Sequence, residues 1–159
     1  MRPTKDEYYI GIAEAVSKRS TCLRRHYGAV LVKDDVIIAT GYNGSARGEV
    51  NCCDTGYCAR DAANAPHNSG YTSDCPAIHA EENCLLNVDR QKAIGSTLYL
   101  WGWDCKKKEE IDVPEPCVMC KRLILTCGVA RIVSRSTHGF FNRQGQIRDM
   151  STYFLRENR

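Results

Sequence analysis

The chain has 159 residues, 43% of them hydrophobic and 26% charged, which fits a folded globular unit and excludes a disordered or low-complexity polymer. Its net charge of +3 and short charge runs make no demand for a long polyanionic partner, so neither nucleic acid nor an anionic membrane is expected to bind. No stretch approaches the roughly 20 apolar residues that span a bilayer, and MRPTKDEYYIGIAEAV at the N-terminus lacks an uninterrupted apolar region and a small-residue cleavage site, so a cytoplasmic location is expected.

Taken in order, the chain alternates helical and strand patterns. Thr4 with Glu7 forms a capping box, and Tyr9, Ile12, Ala13 and Val16 recur at helical spacing, which predicts an opening amphipathic helix. Ala29–Val32 and Val36–Ala39 flank Lys33-Asp34-Asp35 and read as a β-hairpin. Residues 41–76, rich in Gly, Asn, Ser and Cys, are too long for an ordinary connection and read as a functional or metal-stapled loop. A helix is expected from about Ile78 to Val88, then a strand from Ser96 to Trp101 and a polar loop over 102–115. Pro116 suits the first turn of the next helix and Gly128 its C-terminal cap. Val129–Val133 reads as a further strand, and 146–157 as a weak helix with Ile147, Met150, Tyr153 and Phe154 as packing residues. The whole, residues 1–159, is expected to be a single α/β domain with helices around a central sheet in three layers, α/β/α.

Two short segments carry the chemistry. His79-Ala80-Glu81 offers an imidazole and a carboxylate, and Pro116-Cys117-Val118-Met119-Cys120 offers two thiols three residues apart. In a reducing compartment, ten cysteines are better explained as thiols and metal ligands than as disulfides. Three N/S donors leave one tetrahedral zinc position open for water, the mark of a catalytic rather than a structural site. A shuffle of this composition would hold both segments in roughly a few cases per thousand. Cys117 and Cys120 at a helix start share a face, and the positive end of the helix dipole favours thiolates. His79 and Glu81 are a different matter. Two residues apart inside a helix they would diverge, so they converge only if the helix end forms the floor of the cleft.

H-x-E followed by P-C-x-x-C is the signature of the zinc-dependent nucleobase deaminases. On Thr21-Cys22, Gly28-Ala29-Val30, Ala39-Thr40-Gly41-Tyr42-Asn43-Gly44, His79-Ala80-Glu81 with Asn83, and Pro116-Cys117 with Cys120, the chain resembles the deoxycytidylate deaminases of bacterial and phage type. These belong to the cytidine deaminase-like superfamily, whose three-layer fold with a central mixed sheet is therefore expected. The resemblance implies that His79, Cys117 and Cys120 bind a catalytic Zn2+ and that Glu81, unligated, moves protons. The reaction implied is hydrolysis of dCMP to dUMP and ammonia, supplying dUMP for thymidylate synthesis, in the host cytoplasm if the chain is phage-encoded.

The same resemblance implies that Asn43 holds the substrate's sugar hydroxyl, the favoured reading; a plain turn residue before Gly44 is the alternative. Family members assemble as hexamers, activated by dCTP and inhibited by dTTP, with Mg2+ accompanying the triphosphate; Tyr42, Asn43 and Gly44 would lie near that effector site. Arg25 is the candidate for the substrate phosphate, beside Arg24 and His26, which otherwise read as surface residues. Cys22, Cys52, Cys58 and Cys75 fall where relatives carry ligands of a second, structural Zn2+. Cys53 is an alternative to Cys52, and simple burial as small hydrophobes is an alternative to the metal. Cys84, Cys105 and Cys127 are assigned to packing or loops.

Two departures stand out: Ser45-Ala46 replaces the family's proline after the Gly-Tyr-Asn-Gly segment, and 102–115 is an insertion that would bring Trp103 and a charge cluster to the cleft mouth as a lid, a subunit contact or decoration. Competing functions are a tRNA or other nucleic-acid deaminase, a free-nucleoside deaminase, and a non-enzymatic zinc-binding interaction module. The first would need an extended basic surface and strongly salt-dependent binding.

Overall fold

Thr4 Oγ1 accepts the Glu7 N–H at 3.2 Å while the Glu7 carboxylate accepts the Thr4 N–H at 2.6 Å, so the expected capping box opens helix α1 (Lys5–Ser17). Its inner face buries Tyr9, Ile10 and Ala13, with Ile12 and Val16 packed at the margin. The computed structural model describes residues 1–67, 74–112, 114–136 and 139–142; the helix expected over 146–157 lies outside them.

Strands β1 (Arg25–Lys33) and β2 (Val36–Tyr42) form the predicted hairpin, extended at both outer ends. Its turn is tighter than the sequence suggested. Lys33 pairs with Val36, leaving Asp34 and Asp35 alone in the loop at φ 50° and 63°, the left-handed pair that a two-residue turn on twisted strands requires. The long loop then carries strand β3 (Gly44–Ser45) and two four-residue helices, α2 (Cys52–Thr55) and α3 (Ala59–Ala62). Strand β4 (Ala77–Ile78) returns to pair with β3. There follow α4 (Ala80–Leu86), α5 (Arg90–Ala93), β5 (Thr97–Asp104), β6 (Glu109–Glu110), α6 (Val118–Thr126), β7 (Arg131–Ser136) and β8 (Gly139–Asn142).

The main sheet runs β2-β1-β5-β7-β8, with β6 paired onto β5. Only β5 and β7 are parallel, because α6 carries the chain back between them; the sheet is therefore mixed, as expected. Strand alternation divides β5 between two cores. Tyr99 and Trp101 pack against α1 together with Val30 and Val133, while Leu98 and Leu100 pack against α4 and α6 with Ala29, Leu31, Cys84 and Ile124. These two cores make the three layers. Among the described residues no helix is long and apolar enough to cross a membrane.

The 102–115 segment corrects an expectation. The strand does not stop at Trp101 but runs to Asp104 and turns back through β6, so the insertion is a short hairpin. Trp103 stacks on Trp101 at 6.2 Å and packs on the α1 side, not at the cleft mouth, because odd-numbered β5 residues face that layer. The hairpin is pinned by a two-pronged Arg135–Glu110 pair at 2.7 and 2.8 Å and by Ile111 N–H donating to the Gly102 carbonyl at 2.9 Å. A segment so tied does not suit a swinging lid.

Candidate metal and active site

Helix α4 sits on β2 at a distance only glycine permits. A Cβ at Gly41 would lie 2.2 Å from the Cys84 nitrogen and 2.5 Å from the Ala80 carbonyl. Asn83 and Asn87 then sew the two elements together, their amides donating to the carbonyls of Tyr42 at 2.8 Å and Thr40 at 2.9 Å. These bonds and the close approach at Gly41 hold α4 against β2, and the start of α4 is where the chemistry lies.

His79 is the N-cap, with extended backbone, and Glu81 lies in the first turn. Since His79 is outside the helix, the rule that residues two apart diverge does not apply to it, and the two side chains are near enough for the His79 charge to act on the Glu81 carboxyl. Glu82 bonds back to the His79 N–H at 3.2 Å. The second segment also differs from expectation, the helix starting two residues after Pro116. Pro116 precedes the helix, and Cys117 is its N-cap, its Sγ accepting the Cys120 N–H at 3.5 Å. The thiol pair therefore straddles the helix boundary.

His79 Nδ1 lies 3.5 Å from Cys117 Sγ and 3.4 Å from Cys120 Sγ. Two ligands on tetrahedral zinc, one nitrogen and one sulfur at their usual bond lengths, are separated by about 3.5 Å. Both nitrogen–sulfur separations thus match the edge of a zinc tetrahedron. Among the described residues this is the one group of three His, Cys, Asp or Glu donors gathered closely enough to hold an ion.

Charge in this cleft is managed by burial and proximity. A hydrogen bond from Cys120 is the main cause holding the Cys117 thiol down to about 4, helped by His79, while the same bond and burial push Cys120 up. Zinc binding requires both thiols as thiolates and would therefore release the proton held on Cys120. Burial alone would lower His79, but the Cys117 bond and the charge of Glu81 raise it. Glu81 is 5% exposed, and burial pushes its carboxyl up to about 7, so it can take or give a proton near neutrality.

The remaining expected residues are distributed as follows. Asn43, 6% exposed, is a clamp: its Oδ1 accepts from Tyr27 N–H at 2.8 Å and Ser20 Oγ at 2.7 Å, and its Nδ2 donates to the Arg25 carbonyl at 2.8 Å. Tyr42-Asn43-Gly44 is not a turn but the extended joint between β2 and β3. Gly44 pairs with Ile78, so this joint supports the residue directly before His79. Arg25 reaches Asp104 at 3.4 Å through Nε, and its Nη1 donates to Tyr27 Oη at 3.4 Å. It also borders a cavity of about 280 Å³ with Lys107, Glu109 and Asp112.

Cys22, Cys52, Cys58 and Cys75 line one cavity of about 30 Å³, without gathering as tightly as the first three donors. Cys53 is exposed and bonds Asp54 at 3.6 Å, and it is Cys52 that lines the cavity. Cys84 is fully buried and Cys127 packs beside it in the same core; Cys105 sits in the hairpin turn.

Two residues were under-read from sequence. Arg24, taken as a surface side chain, is only 6% exposed. Tyr27 shares a β1 face with Arg25, Ala29 and Leu31, and packs against the same core as α4 and α6; burial raises its phenol and the Glu81 charge adds to that. Gly102 makes room for it, since a Cβ there would meet the Tyr27 ring at 2.7 Å. The period-2 pattern of β1 was the available signal.

Residues 3–136 match the family described as the cytidine and deoxycytidylate deaminase zinc-binding region. A deoxycytidylate deaminase of Mycobacterium phage D29 is 42% identical over 136 residues, covering 83% of this chain and 94% of that protein. A deoxycytidylate deaminase of Schizosaccharomyces pombe is 32% identical over 157 residues, but the match covers only 44% of its length. Among solved structures, the dCMP deaminase of cyanophage S-TIM5 in complex with dCMP and dUMP is 28% identical, with TM-score 0.58 over 86% of this chain and 84% of that one.

Proposed function

Because the chain belongs to the cytidine and deoxycytidylate deaminase family, we propose that it hydrolyses dCMP to dUMP and ammonia, supplying dUMP for thymidylate synthesis. The observation that carries this is the convergence of His79, Cys117 and Cys120 at zinc-ligand spacing beside a buried, unligated Glu81. The substrate follows the phage D29 relative and the cyanophage complex.

Zinc, held by His79, Cys117 and Cys120, supplies a Lewis acid that makes water acidic near neutral pH. Glu81 supplies the proton traffic. It accepts a proton as the water oxygen bonds to C4 of the pyrimidine, delivers it to the ring nitrogen, and serves again as the C4–N bond breaks and ammonia leaves. No oxidant or reductant enters. Ionisation near 7 suits a group that must both accept and donate.

Asn43 keeps one amide hydrogen beyond its bonds to Ser20, Tyr27 and Arg25, and this is the donor assigned to the sugar hydroxyl. Arg25 is the assigned phosphate group, with Tyr27 steadying its guanidinium. The Tyr42-Asn43-Gly44 joint is the proposed effector contact for dCTP and dTTP, with Mg2+ on the triphosphate, in a homohexamer of single-domain chains in the cytoplasm. A second, structural Zn2+ is proposed for Cys22, Cys52, Cys58 and Cys75, supported by their common cavity; loading would draw the thiols together.

An ultraviolet assay on dCMP, deoxycytidine, CMP and dCTP, each with and without dCTP and dTTP, tests the assignment. Turnover of dCMP is expected, raised by dCTP and lowered by dTTP. Turnover of another of these with dCMP untouched would overturn the substrate.

A further inference from the structure

Resting on the reading that Cys22, Cys52, Cys58 and Cys75 hold a structural zinc, we propose that Arg24 is the built-in counter-charge of that site, acting in its outer sphere. Four thiolates on one Zn2+ carry two net negative charges, which a half-buried cavity cannot solvate as water would. A cation placed against them offsets that cost.

Arg24 lines the same cavity as the four thiols. Its Nη2 donates to the Ala65 carbonyl at 2.8 Å and its Nε lies 3.5 Å from Asp61, but Nη1 is buried with no hydrogen-bond partner. An orphaned guanidinium nitrogen in an otherwise buried side chain needs an acceptor, and thiolate sulfur is one. The charge count agrees. Asp61 is shared between Arg24 and Lys106, whose Nζ lies 2.8 Å away, so one carboxylate faces two cations; with Arg60 also lining the cavity, positive charge is left over beside the cysteines, and Arg24 is the cation whose backbone also bonds one of the thiols. The backbone points the same way: the Arg24 N–H donates to Cys22 Sγ at 3.4 Å, the local bond that orients a ligating thiolate.

The test is zinc retention. Purified protein is counted for zinc by mass spectrometry and then challenged with a coloured chelator, following release with time. Wild type is expected to hold two zinc ions per chain. Arg24→Met keeps the stem and removes the charge; it should release one of the two about 10-fold faster, within the range typical for outer-sphere partners, and leave the other unchanged. Arg24→Lys should stay within about 2-fold of wild type because the charge remains. Should Arg24→Met fail to fold, Arg24→Gln, which keeps a donor for Ala65, is read in its place.

Cys75→His supplies the control for charge, since a Cys3His site carries one negative charge fewer. In that background the effect of removing Arg24 should shrink. One zinc per chain in wild type would overturn the second-zinc reading and this inference with it. Two zinc ions with equal release from wild type, Arg24→Lys and Arg24→Met, or an Arg24→Met effect undiminished by Cys75→His, would overturn the inference alone.

Discussion

His79, Cys117 and Cys120 stand on backbone that the apolar core fixes, whereas Cys22, Cys52, Cys58 and Cys75 stand on backbone that it does not. Ala80, Cys84 and Leu85 of α4 and Cys120 and Ile124 of α6 are all part of one core. Helices α2 and α3, which carry Cys52 or follow Cys58, are four residues each and bury none of them. The first set of donors is at ligand spacing as the fold delivers it; the second shares a cavity without reaching that spacing. A catalytic centre must be preorganised, while a structural ion can do the organising.

The largest expected effect probes the preorganised region. Glu81→Gln should lower dCMP turnover by about 10³-fold while zinc content stays unchanged, because the carboxylate moves protons but does not hold the ion. Loss of zinc along with activity would make Glu81 a ligand instead. Gly41→Val comes next. The new side chain collides with the backbone of α4, so a stability loss of about 3 kcal/mol is expected in urea titration, with turnover falling as His79 and Glu81 are displaced together.

Glu81 should also reveal what its burial costs. Its ionisation rises from the ordinary 4.5 to about 7 on folding, so the protonated form is favoured in the folded state. The sign follows: the favourable contribution is complete below pH 4.5 and is lost as pH rises through about 7. In zinc-free protein, Glu81→Gln and wild type should match in pH dependence below that window, and the variant should gain by about 3 kcal/mol above it. A constant offset across the window would contradict a buried, raised carboxyl.

Chelation sharpens the contrast between the regions. Amide exchange in 52–62 should accelerate on zinc removal, while β1 and β5 stay protected. Uniform acceleration would mean that the ion organises the whole domain. The smallest effect is at the cleft's polar edge: Tyr27→Phe removes the Arg25 partner and should cost about 1 kcal/mol in binding, seen as a several-fold higher KM with little change in kcat.

Much of this was legible in the sequence because it is local. The capping box at Thr4, the hairpin and the two donor segments depend on neighbours within a few residues, and they stand where the pattern put them. What was misread depends on long-range packing. Trp103 was assigned to the cleft, but strand β5 continues three residues beyond Trp101 and alternation turns that ring to the α1 side. The sequence offers Asn43 as a substrate contact or a turn residue, and neither reading contains the bonds its amide makes to Ser20, Arg25 and Tyr27 across sequence distances that no local pattern encodes. Arg24 looked like surface because its burial comes from a loop closing over it more than 30 residues later, where Asp61 and Ala65 receive its guanidinium.

The most direct test of the central claim is a crystal structure with an anomalous difference map recorded at the zinc edge. The expected result is an ion bonded to His79 Nδ1, Cys117 Sγ and Cys120 Sγ, its fourth position taken by solvent or substrate and the Glu81 carboxylate adjacent but unbonded. A fourth protein side chain closing that position, or no anomalous peak between the three donors, would contradict it.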